Sequence, residues 1–334
     1  MVQVPGSWLR PPEDRARRDS VALLGIPVGV GAPSHGAMFG PEALRAAGLM
    51  ERLQSQGFAV EDHGDLRPPA LPPAVWPAPR NARHYHDIEA WTRTLSARAH
   101  ALARSGATPL FLGGDHSLSM GSVNGVARHW HAQGRDLFVL WLDAHADYNT
   151  PATTPTGNMH GMSAAFLCGE PGLDDLLGDE TRCPIARDQL QLFGVRSIDR
   201  LERRVLRDRH IAVAGMGEIA GSGAGTLIRR FIDRVKARNG VLHVSFDVDV
   251  LDPALAPGVG TPVPGGLDAD EVRLVMRELR ASGVVRSVDV VELNPLLDPD
   301  GRTARLAVDL VAELFGQAVA APLAPEDTMA DFGR

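Results

Sequence analysis

Leu137-Phe-Val-Leu-Trp-Leu142 is an unbroken apolar run, and Asp143-Ala-His145-Ala-Asp147 follows it at once. Six apolar residues in a row are short for a helix and suit a strand covered on both faces. The polar side chains of the second segment fall at i, i+2 and i+4. In extended chain these point to one face, so two carboxylates and an imidazole are presented together. In open α/β sheets, ligands sit outside the carboxyl ends of the strands, which is where this cluster falls.

Further apolar runs lie on either side, at 21–27, 108–112, 190–194, 211–214, 241–246 and 284–291. Amphipathic segments alternate with them at 41–56, 87–105, 117–133, 199–209, 225–238, 268–282 and 303–315. Strand–helix alternation of this kind predicts an α/β fold with a parallel, doubly wound sheet. No long linker divides the 334 residues. One large domain is therefore expected over 21–316, with an N-terminal extension at 1–20 and a C-terminal tail at 317–334. The Pro-rich stretch 64–83 reads as a surface excursion, and 148–159, rich in Thr, Asn, Pro and Gly, as a loop.

Composition narrows the function classes. Apolar residues make up 44% of the chain, enough for a sizeable core. The net charge is -7 with no dense Lys/Arg run, which argues against a nucleic-acid partner. No stretch approaches the ~18 consecutive apolar residues of a membrane helix. The two cysteines, Cys168 and Cys183, form no CxxC motif and no disulfide framework. Ordinary thiols in a reducing compartment are expected. The first twenty residues hold no apolar core of a signal peptide, so a cytoplasmic protein is expected.

Two other strand ends carry chemistry. Asp247-Val-Asp249 closes the 241–246 run, repeating the alternating pattern of Asp143–Asp147. Gly113-Gly114-Asp115-His116-Ser117 follows the 108–112 run. Its glycines permit a tight strand-to-helix turn, and Asp115 or Ser117 can cap the helix beyond. His116 can then point into the crevice at the strand ends. Four carboxylates at the rim of a core repel one another, and cations are the natural remedy. Oxygen and imidazole donors without thiolate suit manganese, magnesium or iron better than structural zinc. Four carboxylates also balance two divalent cations. Two such ions roughly 3.5–4 Å apart can share a water and lower its pKa.

These segments, GGDHS, DAHAD, SFDVDVLDP and the later VDVVELNP, resemble those of the ureohydrolases: arginase, agmatinase and their relatives. The resemblance runs from about residue 21 to 316, with the motifs in the family's order. It implies a single domain with a mainly parallel eight-stranded sheet flanked by helices, and two manganese ions per subunit. One ion would be held by His116, Asp143, Asp147 and Asp247. The other would be held by His145, Asp143, Asp247 and Asp249. A hydroxide between them would attack the guanidinium carbon, and Asp147 would orient it and pass a proton to the leaving amine.

The resemblance assigns the remaining site as well. Glu292, in Val291-Glu-Leu-Asn-Pro295, corresponds to the carboxylate that pairs with the guanidinium. The loop Asn149-Thr-Pro…Gly157-Asn158-Met-His160-Gly161 is similar to that of arginases rather than agmatinases. There Asn149, Thr154, Thr156 and Asn158 would surround an α-carboxylate. His160 corresponds to a histidine proposed as a proton shuttle, a task that suits imidazole near neutral pH. Asp199 and Glu202 match acids that hold an α-amino group. Thr156, Ser197 and Val250 depart from the commoner serine, aspartate and glycine. L-Arginine hydrolysis to L-ornithine and urea is the leading expectation. Agmatine or another guanidino acid, and a catalytically silent metal-binding or regulatory protein, are the alternatives. Family members are usually trimers or pairs of trimers, so a homotrimer or homohexamer is expected.

Overall fold

The computed structural model describes residues 20–68, 77–178 and 181–316. Eight strands form one sheet: β1 Ser20–Ile26, β2 Ala59–Asp65, β3 Thr108–Gly113, β4 Leu137–Leu142, β5 Leu190–Val195, β6 Ala212–Gly215, β7 Val241–Asp247 and β8 Val285–Val291. Their order is β2-β1-β3-β8-β7-β4-β5-β6, and every pairing is parallel. The chain lays down β1 to β3 on one side, starts again at β4, and finally returns to place β7 and β8 between the halves. The four central strands are thus β3, β8, β7 and β4, which are far apart in sequence.

Alternate residues of each central strand face opposite layers. Phe138, Leu140 and Leu142 join one core with Leu242, Val244 and Phe246, and Leu137, Val139 and Trp141 join the other. Helices cover both faces. One layer packs α1 Gly40–Ala46, α2 Leu49–Ser55, α8 Ala224–Ala237, α9 Ala269–Ser282 and α10 Arg302–Phe315. The opposite layer holds α3 Tyr85–Ser105, α4 Ser119–Ala132, α5 Ser163–Leu167 and α6 Arg200–Asp208. The short α7, Met216–Ser222, follows β6. This single-domain parallel sheet is the architecture read from the apolar runs. Among the described residues no helix is long and apolar enough to cross a membrane.

Two details differ from the sequence reading. The β2 strand has no apolar run to announce it, and its last two residues fall in the Pro-rich stretch 64–83. It is a polar edge strand, AVEDHGD, largely exposed along its length. Paired on one side only, it needs no apolar run. The expected helix at 41–56 is two helices, divided where Gly48 adopts φ 85°, a left-handed turn favourable to glycine. Part of the Pro-rich stretch, 69–76, lies outside the described residues, as do the segments 1–19 and 317–334.

Candidate metal centre and active site

The carboxyl ends of the four central strands deliver one side-chain cluster. The β3 strand stops at Gly113, and Gly114 makes the turn: a Cβ there would sit 2.0 Å from the Val28 carbonyl oxygen. Asp115 then accepts from the Ser117 amide and, through its other oxygen, from the Gly31 amide at 2.8 Å. These bonds aim His116 inward. Its Nδ1 lies 3.1 Å from Asp143 Oδ2, 3.2 Å from Asp147 Oδ2 and 3.1 Å from Asp247 Oδ2. His145 Nδ1 stands 3.1 Å from Asp249 Oδ2 and 3.4 Å from Asp143 Oδ1. Two donor groups follow, His116 with Asp143 and Asp247, and His145 with Asp143 and Asp249. They interlock through Asp143, whose two oxygens face different imidazoles.

Several features fit this centre to cations. His116 Nδ1 is buried and makes no hydrogen bond, although three carboxylate oxygens surround it. Burial, then the charges of Asp249 and Asp143, push the Asp247 carboxyl well above its ordinary range. Burial and the Asp143 charge raise Asp147 to about 6. Burial disfavours a charged His145, yet bonds to Asp143 and Asp249 raise it to about 12. Protons therefore stand in for cations in the metal-free chain, and a bound cation must displace them. The donor set is oxygen and imidazole, suited to a hard or intermediate divalent ion.

Neighbours lock the donors in place. Trp141 stacks on His116 with ring centroids 3.9 Å apart and donates its Nε1–H to Asp143 Oδ2 at 2.9 Å. Thr261 donates to Asp249 Oδ2 at 3.1 Å. The half-buried Arg196 guanidinium donates to the carbonyls of Asp249, Leu251 and Val263, strapping the chain that carries Asp249. The sequence reading passed over Trp141 and Ser245. Each sits two residues before a donor, on the same strand face, which is the signal that could have found them.

Beside the cluster, Glu292 Oε1 accepts from the His116 amide at 2.9 Å and meets His160 Nδ1 at 2.9 Å. Burial opposes charge on His160, but the Glu292 bond and charge raise it to about 9. Burial works against Glu292 ionising too, and the His160 bond outweighs it and lowers the carboxyl. Asp147 and Glu292 have φ values of 49° and 63°, a left-handed backbone that is strained for residues with side chains. Strain of this kind clusters at functional sites.

The loop after Asp147 folds onto the cluster. Tyr148 and Asn149 are buried. The Asn149 amide group donates to Asp199 Oδ2 at 3.0 Å, and its carbonyl accepts from Thr153. Thr154 Oγ1 accepts from the amides of Thr156 and Gly157, and Thr156 Oγ1 accepts from the Asn158 amide. These hydroxyls hold the loop's own shape. Glu202 is buried, accepts from the Tyr148 and Asp199 amides, and is raised by that burial to about 7. Asp199 is exposed and precedes α6. Asn149, Asp199 and Glu202 thus form one connected group, and Thr156 is exposed.

A parallel doubly wound sheet whose central strands end in interlocking imidazole–carboxylate groups is the arrangement of a ureohydrolase. A family model described as "Arginase family" matches residues 19–316. The chain is 44% identical over 297 residues to an arginase of Agrobacterium fabrum, covering 89% of this chain and 91% of that one. It is 42% identical over 303 residues to an arginase of Brucella melitensis, covering 89% and 96%. The solved structure of an arginase from Bacillus caldovelox superposes with a TM-score of 0.82 at 36% identity, covering 90% of this chain and 99% of the other. The chain belongs to the arginase family.

Proposed function

We propose that this enzyme hydrolyses the guanidinium group of L-arginine to L-ornithine and urea, with two manganese ions per subunit. The observation that carries the reading is the sharing of Asp143 between two donor groups, which builds a site for a pair of ions. His116, Asp143, Asp147 and Asp247 would hold one ion, and His145, Asp143, Asp247 and Asp249 the other. Bound there, two such ions would supply a water of lowered pKa as the nucleophile at neutral pH.

The chain's own groups do the rest. Glu292, an anion at the edge of the cluster, orients the cationic guanidinium by charge and hydrogen bonding. Asp147, buried beside His116, orients the nucleophile and passes a proton to the leaving amine. His160, 2.9 Å from Glu292, is placed to move a proton between site and solvent. Asn149, Thr154, Thr156 and Asn158 read the α-carboxylate with neutral donors, and Asp199 and Glu202 attract the α-amino group. The names of the relatives support arginine as the substrate. The enzyme is further proposed to work in the cytoplasm as a homotrimer or homohexamer.

Urea release from L-arginine, agmatine and 4-guanidinobutyrate, measured side by side with added manganese, tests the reading. Urea from arginine alone is expected. Urea from agmatine in preference would keep the chemistry and overturn the role of the loop.

A further inference from the structure

Beside His116, a row of buried polar groups crosses the core. His116 Nε2 lies 2.8 Å from Ser245 Oγ, and that oxygen lies 3.3 Å from Ser119 Oγ. Ser119 donates to Asp289 Oδ2 at 2.7 Å, and Ser122 donates to the same oxygen at 2.9 Å. His243 Nε2 stands 3.1 Å from Asp289 Oδ2, and His243 Nδ1 is 2.7 Å from Ser287 Oγ. Ser119, Ser122, His243, Ser245, Ser287 and Asp289 have no solvent exposure at all. An acid and a histidine buried this deeply are costly, and neither takes part in the hydrolysis described above.

The row has a direction. A carboxylate only accepts hydrogen bonds, so the Ser119 and Ser122 protons point at Asp289. With its proton committed, Ser119 offers lone pairs to Ser245. Ser245 therefore turns its proton to Ser119 and its own lone pair to His116. The imidazole is left to donate from Nε2, which frees Nδ1 as the lone pair among Asp143, Asp147 and Asp247.

We propose that Asp289 is a positioning residue that, acting through Ser119 and Ser245, fixes His116 in the tautomer that binds a metal ion. The inference rests on the reading of His116 as a ligand. Hydrogen-bonded partners of metal-binding histidines set ring orientation and basicity, and their loss weakens binding by roughly 10–100-fold. Asp289 would exert that control from two hydroxyls away. His243, held by Ser287, stands beside the same carboxylate oxygen.

The test is manganese titration of the chelator-treated full chain by calorimetry, with Asp289→Asn, Ser119→Ala and the double variant. An asparagine at 289 can donate to Ser119 and so turn the row around. The expected result is two tight ions in the unaltered chain. In each single variant one ion binds natively and the other about 10–100-fold more weakly. The double variant should be no worse than the poorer single one, because both act through one row. Metal-free melting temperatures should stay within a few degrees of the parent. Should Asp289→Asn fail to fold, Ser119→Ala carries the test. Two ions of native affinity in Ser119→Ala, or a lowered metal-free melt with unchanged affinity, would overturn the proposal. An unaltered chain that binds no manganese would instead overturn the metal reading itself.

Discussion

His160 Nδ1 and Glu292 Oε1 lie 2.9 Å apart although 132 residues separate them in the chain. The pair joins the end of β8 to the loop that follows β4, and it is mostly shielded from solvent. Its pH behaviour has a definite sign. His160 is raised from 6.5 to about 9, so the folded state favours its charged form. The contribution to stability is complete below pH 6.5 and fades as pH climbs through about 9. In metal-free Glu292→Gln, the His160 resonance should titrate closer to 6.5, and the stability difference from the parent should shrink between those limits. NMR titration with denaturant melts at pH 6 and pH 10 would check both. The same variant should lose at least ~10²-fold in kcat/KM, since the proposed partner of the guanidinium becomes neutral.

Manganese should displace protons. In the metal-free chain the carboxylates hold His116 and His145 charged against the cost of burial, His145 up to about 12. Calorimetric titration near pH 8 in buffers of differing ionisation enthalpy should show net proton release on manganese binding. Zero release would mean that the imidazoles are already neutral. Binding should also raise the melting temperature. At one hundred times Kd, each ion adds about 2.7 kcal/mol.

Asn149→Ala should separate two substrates. Loss of the proposed neutral donor to the α-carboxylate is expected to raise KM for L-arginine roughly 10–100-fold. Agmatine has no carboxylate, so its much weaker turnover should barely change. An equal loss on both substrates would assign Asn149 to holding the loop, through Asp199 and Thr153, instead of to binding.

Gly114→Ala is expected to destabilise the protein by more than ~2 kcal/mol, read from urea melts. The obstruction is the Val28 carbonyl oxygen, a backbone atom that side-chain repacking cannot move. The Gly114 amide also donates to the Ile26 carbonyl, and its carbonyl accepts from the Glu292 amide. Displacing this turn should therefore lower activity along with stability.

Seven of the eight strands left an apolar run, and the six inner ones did so because a parallel strand covered on both faces must be largely apolar, as Leu137–Leu142 is. The edge strand Ala59–Asp65 carries no such constraint and left no hydrophobic trace. The donor cluster was legible for a related reason: alternating acids at the end of an apolar run cannot face a core unaided. The left-handed backbone at Asp147 and Glu292 was not, since nothing in their residue types or neighbours demands it. The Ser119–Asp289 connection was equally hidden, because 170 residues separate groups that only the strand order brings together.

That strand order makes the site a record of complete assembly. His116, Asp143, His145 and Asp147 belong to the earlier part of the chain, and Asp247, Asp249 and Glu292 come from the two strands inserted last between β3 and β4. A chain still lacking β7 and β8 carries four of the six proposed ligands and lacks Asp247, Asp249 and Glu292. Neither part of the chain carries all the donors, so the centre exists only where both have folded into one sheet.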